Sequence, residues 1–161
     1  MPFGGPLTQL ASSVAASDQD GDTALIDAAH AATLLTTRER GRPLVILFSD
    51  GVDTASFLTA EAAMDTARRS GASVYLVTGT GAGRNGGTLD ELPERTGGEL
   101  IREPDVDRLA NRFAAILDGF RRRYLLSFTP AGPRAPGWHP LTVKVRGGGK
   151  IRARPGYWAA E

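Results

Sequence analysis

An α/β fold with a parallel sheet and an antiparallel extension at its C-terminal end is what this sequence predicts, and three observations carry the prediction. Two short, continuous apolar runs, "PLVILF" and "SVYLV", have the pattern of strands covered on both faces. Stretches with apolar residues at spacings of three and four lie around them, which is the helical period. Beyond Arg123 the pattern changes to a period of two. Strands alternating with helices give a parallel sheet, and the final segment gives an antiparallel ribbon beside it.

Each element follows from local chemistry. A helix is expected from about Thr23 to Thr36, with Leu25, Ala28, Ala29, Ala32 and Leu35 on one face and Asp22 or Thr23 as its cap. Pro43 to Phe48 forms the first strand. A second helix runs from about Thr59, which caps it, to Ser70, and stops at Gly71. Ser73 to Gly79 is the second strand, followed by the loop "TGAGRNGG" and the short helix "LDELPERT". "GELIREP" reads as a third strand. Asp105 caps a last helix reaching about Arg123, with Leu109, Phe113, Ile116, Leu117 and Phe120 facing inward. "YLLSFTP", "HPLTVKVR" and "KIRARPGYW" then read as antiparallel strands, with Gly147 to Gly149 as a hairpin turn. The expected division is an α/β domain over 1–123 and an antiparallel extension over 124–161 packed on it.

Composition narrows the chemistry. With 161 residues and 41% apolar content the chain suits one domain with a core of its own. No apolar run reaches the roughly 18 residues of a membrane span, and "MPFGGPLTQLASSVAAS" lacks the basic start and long apolar centre of a signal peptide. The absence of Cys excludes disulfides, thiolate zinc sites and a cysteine nucleophile. The net charge of +1 hides an asymmetry. Up to Phe120 there are 10 Lys and Arg against 17 Asp and Glu, a balance of −7, and from Arg121 onward 9 against 1, a balance of +8.

In an open α/β sheet, ligands bind beyond the carboxyl ends of the strands, near the point where strand order reverses. Asp50 stands at such an end, directly after "VILFS", with Ser49, Gly51 and Asp53 beside it. These are hard oxygen donors of the kind Mg²⁺ takes, and Thr23 would add a hydroxyl from a second loop. The competing reading makes "SDG" a strand-ending turn and "GDT" a helix cap.

The segments "GDTALIDAA", "VILFSDGVDTAS", "RSGASVYLV", "ERTGGELIREP" and "RRRYLLSFTP…HPLTVKVR…KIRARPGYW", in this order, resemble the bacterial von Willebrand factor A-related domain from about Gly21 onward. The resemblance implies a Rossmann-like, doubly wound, mostly parallel sheet with a metal-ion-dependent adhesion site at its carboxyl edge. Thr23 matches the Thr of the family's G-x-T-A-L-x-D-A pattern, and Asp50 matches the Asp of S-D-G. Asp53 and Ser49 would support them. The implied ion is Mg²⁺, or Mn²⁺ or Ca²⁺, and the implied partner is a protein offering an acidic side chain. Such a module is not an enzyme, and an exported location is implied for a full-length parent. The family's D-x-S-x-S motif does not occur here. The expectation is therefore an N-terminally truncated domain whose first strand would precede Met1, leaving "PLVILF" with an open edge available for self-association. Two protein ligands alone would hold the ion weakly.

Other chemistries fare less well. "GAGRNG" (Gly81 to Gly86) satisfies G-x-G-x-x-G, with Glu103 about twenty residues on, but the turn into the next helix is too long for a dinucleotide site. No G-x-S-x-G occurs, and His30 lies within a helix where packing or surface exposure explains it. Asp50 and Asp53 share one turn, which does not place them across a substrate as a glycosidase needs. The alternative function is a nucleic-acid or anion-binding module using the basic C-terminal hairpin, with Arg121, Arg122, Arg123, Arg134, Lys144, Arg146, Lys150, Arg152 and Arg154 tracking phosphates, of which Lys144, Arg146, Arg152 and Arg154 alternate along the strands. Those positions are also the ones a half-buried ribbon turns to water, so nucleic acid is not the first expectation.

Overall fold

The computed structural model describes residues 21–37, 41–49, 52–79, 89–131, 135–149 and 151–159. Helix α1 spans Leu25–Thr36 and begins without a cap of its own, because Ala24 occupies the capping position. Its cap arrives from elsewhere in the chain. Asp53 Oδ1 accepts the Ile26 N–H at 3.1 Å, a role the sequence had suggested for Asp22 or Thr23. Leu25, Ile26 and Ala29 are buried, whereas Ala28 and Leu35, expected to face inward, are exposed.

Strand β1 (Leu44–Ser49) leads through the loop at 52–59 to helix α2 (Ala60–Ser70). Both ends of α2 are as the sequence predicts. The Thr59 hydroxyl accepts the Ala62 N–H at 3.2 Å, and Gly71 takes the left-handed conformation at φ 73°. Strand β2 (Ser73–Thr78) is buried along its whole length. Helix α3 (Leu92–Thr96) and strand β3 (Leu100–Arg102) follow. Asp105 opens a 3-10 turn (Val106–Arg108) by accepting the Asp107 N–H, and helix α4 runs Leu109–Arg121.

β1, β2 and β3 pair in parallel and in sequential order, with Leu44 opposite Ser73 and Leu76 opposite Leu100. Strand periodicity sorts their side chains onto two faces. Val45, Val74 and Leu76 meet Leu25, Ile26 and Ala29 of α1, Ala63 and Ala67 of α2, and Leu92 of α3. Tyr75 and Val77 meet Ile116 of α4, with Leu44, Ile46 and Ile101 around them. Helices therefore lie on both faces of the sheet. The order contains no reversal, so the switch point at which a ligand was expected is not formed among the described strands. β1 pairs only with β2 there, which places it at an edge.

The turn between α3 and β3 approaches β2 closely at Gly98, where any Cβ would overlap the Val74 carbonyl. Arg123 fixes the far end of α4 to the amino end of the sheet. Its guanidinium donates to Ser73 Oγ at 2.7 Å, the Tyr75 hydroxyl at 2.6 Å and the Gly97 carbonyl at 2.9 Å.

The C-terminal ribbon is shorter than its alternation suggests. Strands β4 (Gly137–Pro140) and β5 (Gly156–Ala159) pair antiparallel with Trp138 opposite Trp158, and Leu141 N–H adds a bond to the Pro155 carbonyl at 2.8 Å. Continuing this register brings the turn to Gly148, where the sequence placed it. Gly147, Gly148 and Gly149 all have positive φ, at 99°, 80° and 123°. The described arms on either side of that turn are not strands, and neither is 124–131. A two-stranded ribbon is marginal where neither face is covered, and Lys144, Val145 and Arg146 are all exposed. Pairing survives where the ribbon meets α2. There Arg154 donates to the Ala67 and Arg68 carbonyls at 3.3 and 2.9 Å, a cation on the negative end of a helix. The guanidinium carbons of Arg68 and Arg69 lie 4.2 and 3.7 Å from the ring centroids of Trp138 and Trp158. The antiparallel ribbon is thus a separate sheet docked on the α/β layers.

Candidate functional site

At the carboxyl edge of β1 the two loops singled out in the sequence are tied together. Thr23 N–H donates to Thr54 Oγ1 at 2.7 Å, and its carbonyl accepts the N–H groups of Thr54 and Ala55 at 2.8 and 3.2 Å. Asp27, two positions into α1, accepts Phe57 N–H at 3.0 Å and Leu58 N–H at 2.9 Å through its two oxygens. Ser56 Oγ receives the Asp27 N–H at 3.1 Å and donates to Asp53 Oδ1 at 2.6 Å. Residues some thirty positions apart are thereby held as one rigid corner.

Thr23, Ser49 and Asp53 are all half-buried at this corner, while Asp50 and Gly51 lie outside the described residues. Asp53 is committed to structure through Oδ1, which takes both Ile26 N–H and the Ser56 hydroxyl. Desolvation pushes its carboxyl up. The hydrogen bonds from the Ser56 hydroxyl and from the N–H groups of Ile26, Ser56 and Leu25 outweigh that and hold it below its ordinary value of 3.8.

Thr78 is a residue that sequence reasoning passed over. It ends β2 directly across from Ser49, and the strand register puts both on the face covered by α1. Thr78 is 1% exposed, and its Oγ1 has no hydrogen-bond partner among the described residues. A buried hydroxyl oxygen normally has a partner. The only sequence signal was a hydroxyl residue closing an apolar strand, which many strands share.

These donors fit a hard cation in kind. Thr23, Ser49, Asp53 and Thr78 offer only oxygen, and the orphaned Thr78 hydroxyl belongs to the strand end across from Ser49. In number they are few. Among the described residues no group of three or more His, Cys, Asp or Glu is placed to hold a metal ion.

Elsewhere the chemistry is structural. His30 Nδ1 lies 3.1 Å from Thr66 Oγ1, linking α1 to α2. Arg112 Nε donates to Glu103 Oε2 at 2.6 Å, and this bond, against desolvation, lowers the Glu103 carboxyl pKa with help from Asp105 N–H. In the basic ribbon, Arg152 pairs with Glu99 and Arg154 is held on α2, where burial lowers its pKa. Lys144 and Arg146 remain exposed. The "GAGRNG" loop lies outside the described residues.

No protein-family model matches the chain. No curated protein matches it. Among solved structures, an uncharacterized membrane spanning protein from Vibrio fischeri is similar over 50% of this chain and 48% of its own, at 28% identity and a TM-score of 0.42. The chain thus spans about half the length of that protein. No helix among the described residues is long and apolar enough to cross a membrane.

Proposed function

We propose that this chain is a protein-binding module of the von Willebrand A type, not a catalyst, and that a divalent cation at the carboxyl edge of its sheet is part of its binding surface. Thr23 and Asp50 would hold the ion, with Ser49 and Asp53 in support and Thr78 lending its free hydroxyl oxygen. The ion, Mg²⁺ or Mn²⁺ or Ca²⁺, would supply a positive centre with positions that an acidic side chain of a partner protein can enter. The observation that carries this reading is the union of the Thr23 loop with the loop after Ser49 through three hydrogen bonds at one strand end. Either loop alone would be a turn; together they bring hydroxyl and carboxylate donors to one place. The doubly wound architecture of that family belongs to the same proposal, supported by helices on both faces of a parallel sheet.

Thermal unfolding with and without cation tests it. With a millimolar Kd, a tenfold excess of Mg²⁺ stabilises the fold by about 1.4 kcal/mol, which raises Tm by about 4 °C in a domain of this size. EDTA removes the increment, and Asp50→Ala and Thr23→Ala never show it. An increment that survives in both variants would place the ion elsewhere and end the proposal.

A further inference from the structure

The two ends of the sheet differ in charge and each presents bare apolar surface. At the carboxyl end, Phe57 is 97% exposed. The backbone that carries it is anchored, because Asp27 accepts its N–H and that of Leu58, and Thr59 caps the helix that follows. Asp22, next to Thr23, and Glu61, in the first turn of α2, are both exposed, and residues 52–67 contain no Lys or Arg. At the amino end, Tyr124, Leu125 and Leu126 are 91%, 67% and 70% exposed and follow Arg121, Arg122 and Arg123, of which Arg121 and Arg122 are exposed, the latter paired with Asp118. Their location is fixed by Arg123 on Ser73, the first residue of β2, and by Arg42 Nη1 on the Tyr124 carbonyl at 3.5 Å.

Because the strands are parallel, these surfaces stand at opposite ends of a sheet about 20 Å long and cannot meet within one molecule. We propose that copies of this chain associate head to tail, with Phe57 of one copy seated among Tyr124, Leu125 and Leu126 of the next. Asp22 and Glu61 of the first copy then face the arginine-rich end of the second. The interface is heterologous, since different surfaces meet, so assembly proceeds as a chain or closes as a ring. An aromatic anchor joined with charges of opposite sign on the two surfaces is a common anatomy of a binding hot spot. The inference is independent of the cation reading, since neither Asp22 nor Glu61 is among the proposed ligands.

Sedimentation velocity on the full chain, over a range of protein and salt concentrations, tests it with the protein itself as probe. Association should weaken at least about tenfold between about 0.1 M and about 1 M salt, where screening becomes nearly complete. Phe57→Ser and Leu126→Ser each remove one surface from an exposed position, and each variant alone should be monomeric with an unchanged Tm. Mixed, they should form a dimer that grows no further, because each keeps the surface the other lacks. A wild-type chain that is monomeric at every concentration overturns the proposal. So does a Phe57→Ser variant that assembles as well as wild type, which is the outcome if copies pair through the β1 edge or through 124–126 alone. Association indifferent to salt, or a mixture that stays monomeric, overturns it as well.

Discussion

Replacing Asp53 by Ala separates a structural carboxylate from a metal ligand. In the native chain Asp53 Oδ1 caps α1 through Ile26 N–H at 3.1 Å and receives the Ser56 hydroxyl at 2.6 Å. Loss of a capping side chain costs about 1 kcal/mol, and the loss of the Ser56 bond brings the total to about 1.5 kcal/mol, while Ser56 Oγ is left as the side-chain acceptor on the first turn of α1, for the Asp27 N–H. In a domain of this size that lowers Tm by about 5 °C. The assay is thermal unfolding followed by circular dichroism in EDTA, so that no cation contributes. Asp53→Asn, which keeps an acceptor for the Ile26 N–H, should lie between Ala and wild type. The pH dependence has a definite sign. The folded carboxyl lies below its ordinary value of 3.8, so its stabilisation is complete above that value and is lost as pH falls through the lower folded pKa. The difference between wild type and Asp53→Ala should therefore be constant near neutrality and shrink below 3.8. An unchanged Tm in EDTA would refute the assignment of Asp53 as the cap, and so would a difference that persists undiminished in acid.

Other perturbations probe the remaining joints. Arg154→Ala removes the bonds to the α2 carbonyls; since the chain's two Trp residues, Trp138 and Trp158, both sit in the docked ribbon, their fluorescence should shift to the red before the α/β layers melt. Unchanged emission would mean that the ribbon docks without Arg154. Gly98→Ala forces a Cβ into the Val74 carbonyl, so β2 and β3 must separate at a cost of about 3 kcal/mol or more; a soluble variant with native Tm would show that the strands do not approach as described. Glu103→Gln weakens the hold on Arg112 and should lower Tm at neutral pH but not in strong acid, where the native carboxyl is itself protonated. An equal loss at both pH values would mean that packing, not charge, explains Glu103.

What the sequence made legible was local. Thr59 and Gly71 bound α2 because a hydroxyl cap and a residue free of Cβ are nearest-neighbour requirements. The apolar runs became strands because both faces of the sheet are covered. What it hid was contact across distance. Asp22 and Thr23 had the right chemistry to cap α1, but Asp53 does so from 27 positions away. Thr78 looked like any strand end until the register set it beside Ser49. The alternation at Leu141, Val143 and Val145 promised strands, yet period two yields a ladder only where a face is packed, and that condition ends near Pro140 and Gly156.

The proposed function stands or falls with a divalent cation held by Thr23 and Asp50 at the carboxyl edge of the sheet. Its most direct test is a titration of the full chain with Mn²⁺, followed by the electron paramagnetic resonance signal of the free ion. The expected result is one bound ion per chain with a Kd of about 1 mM, displaced by Mg²⁺ and absent in both Asp50→Ala and Thr23→Ala. A free-ion signal that rises in wild type as it does in buffer alone, or binding that is unaltered in the two variants, would contradict it.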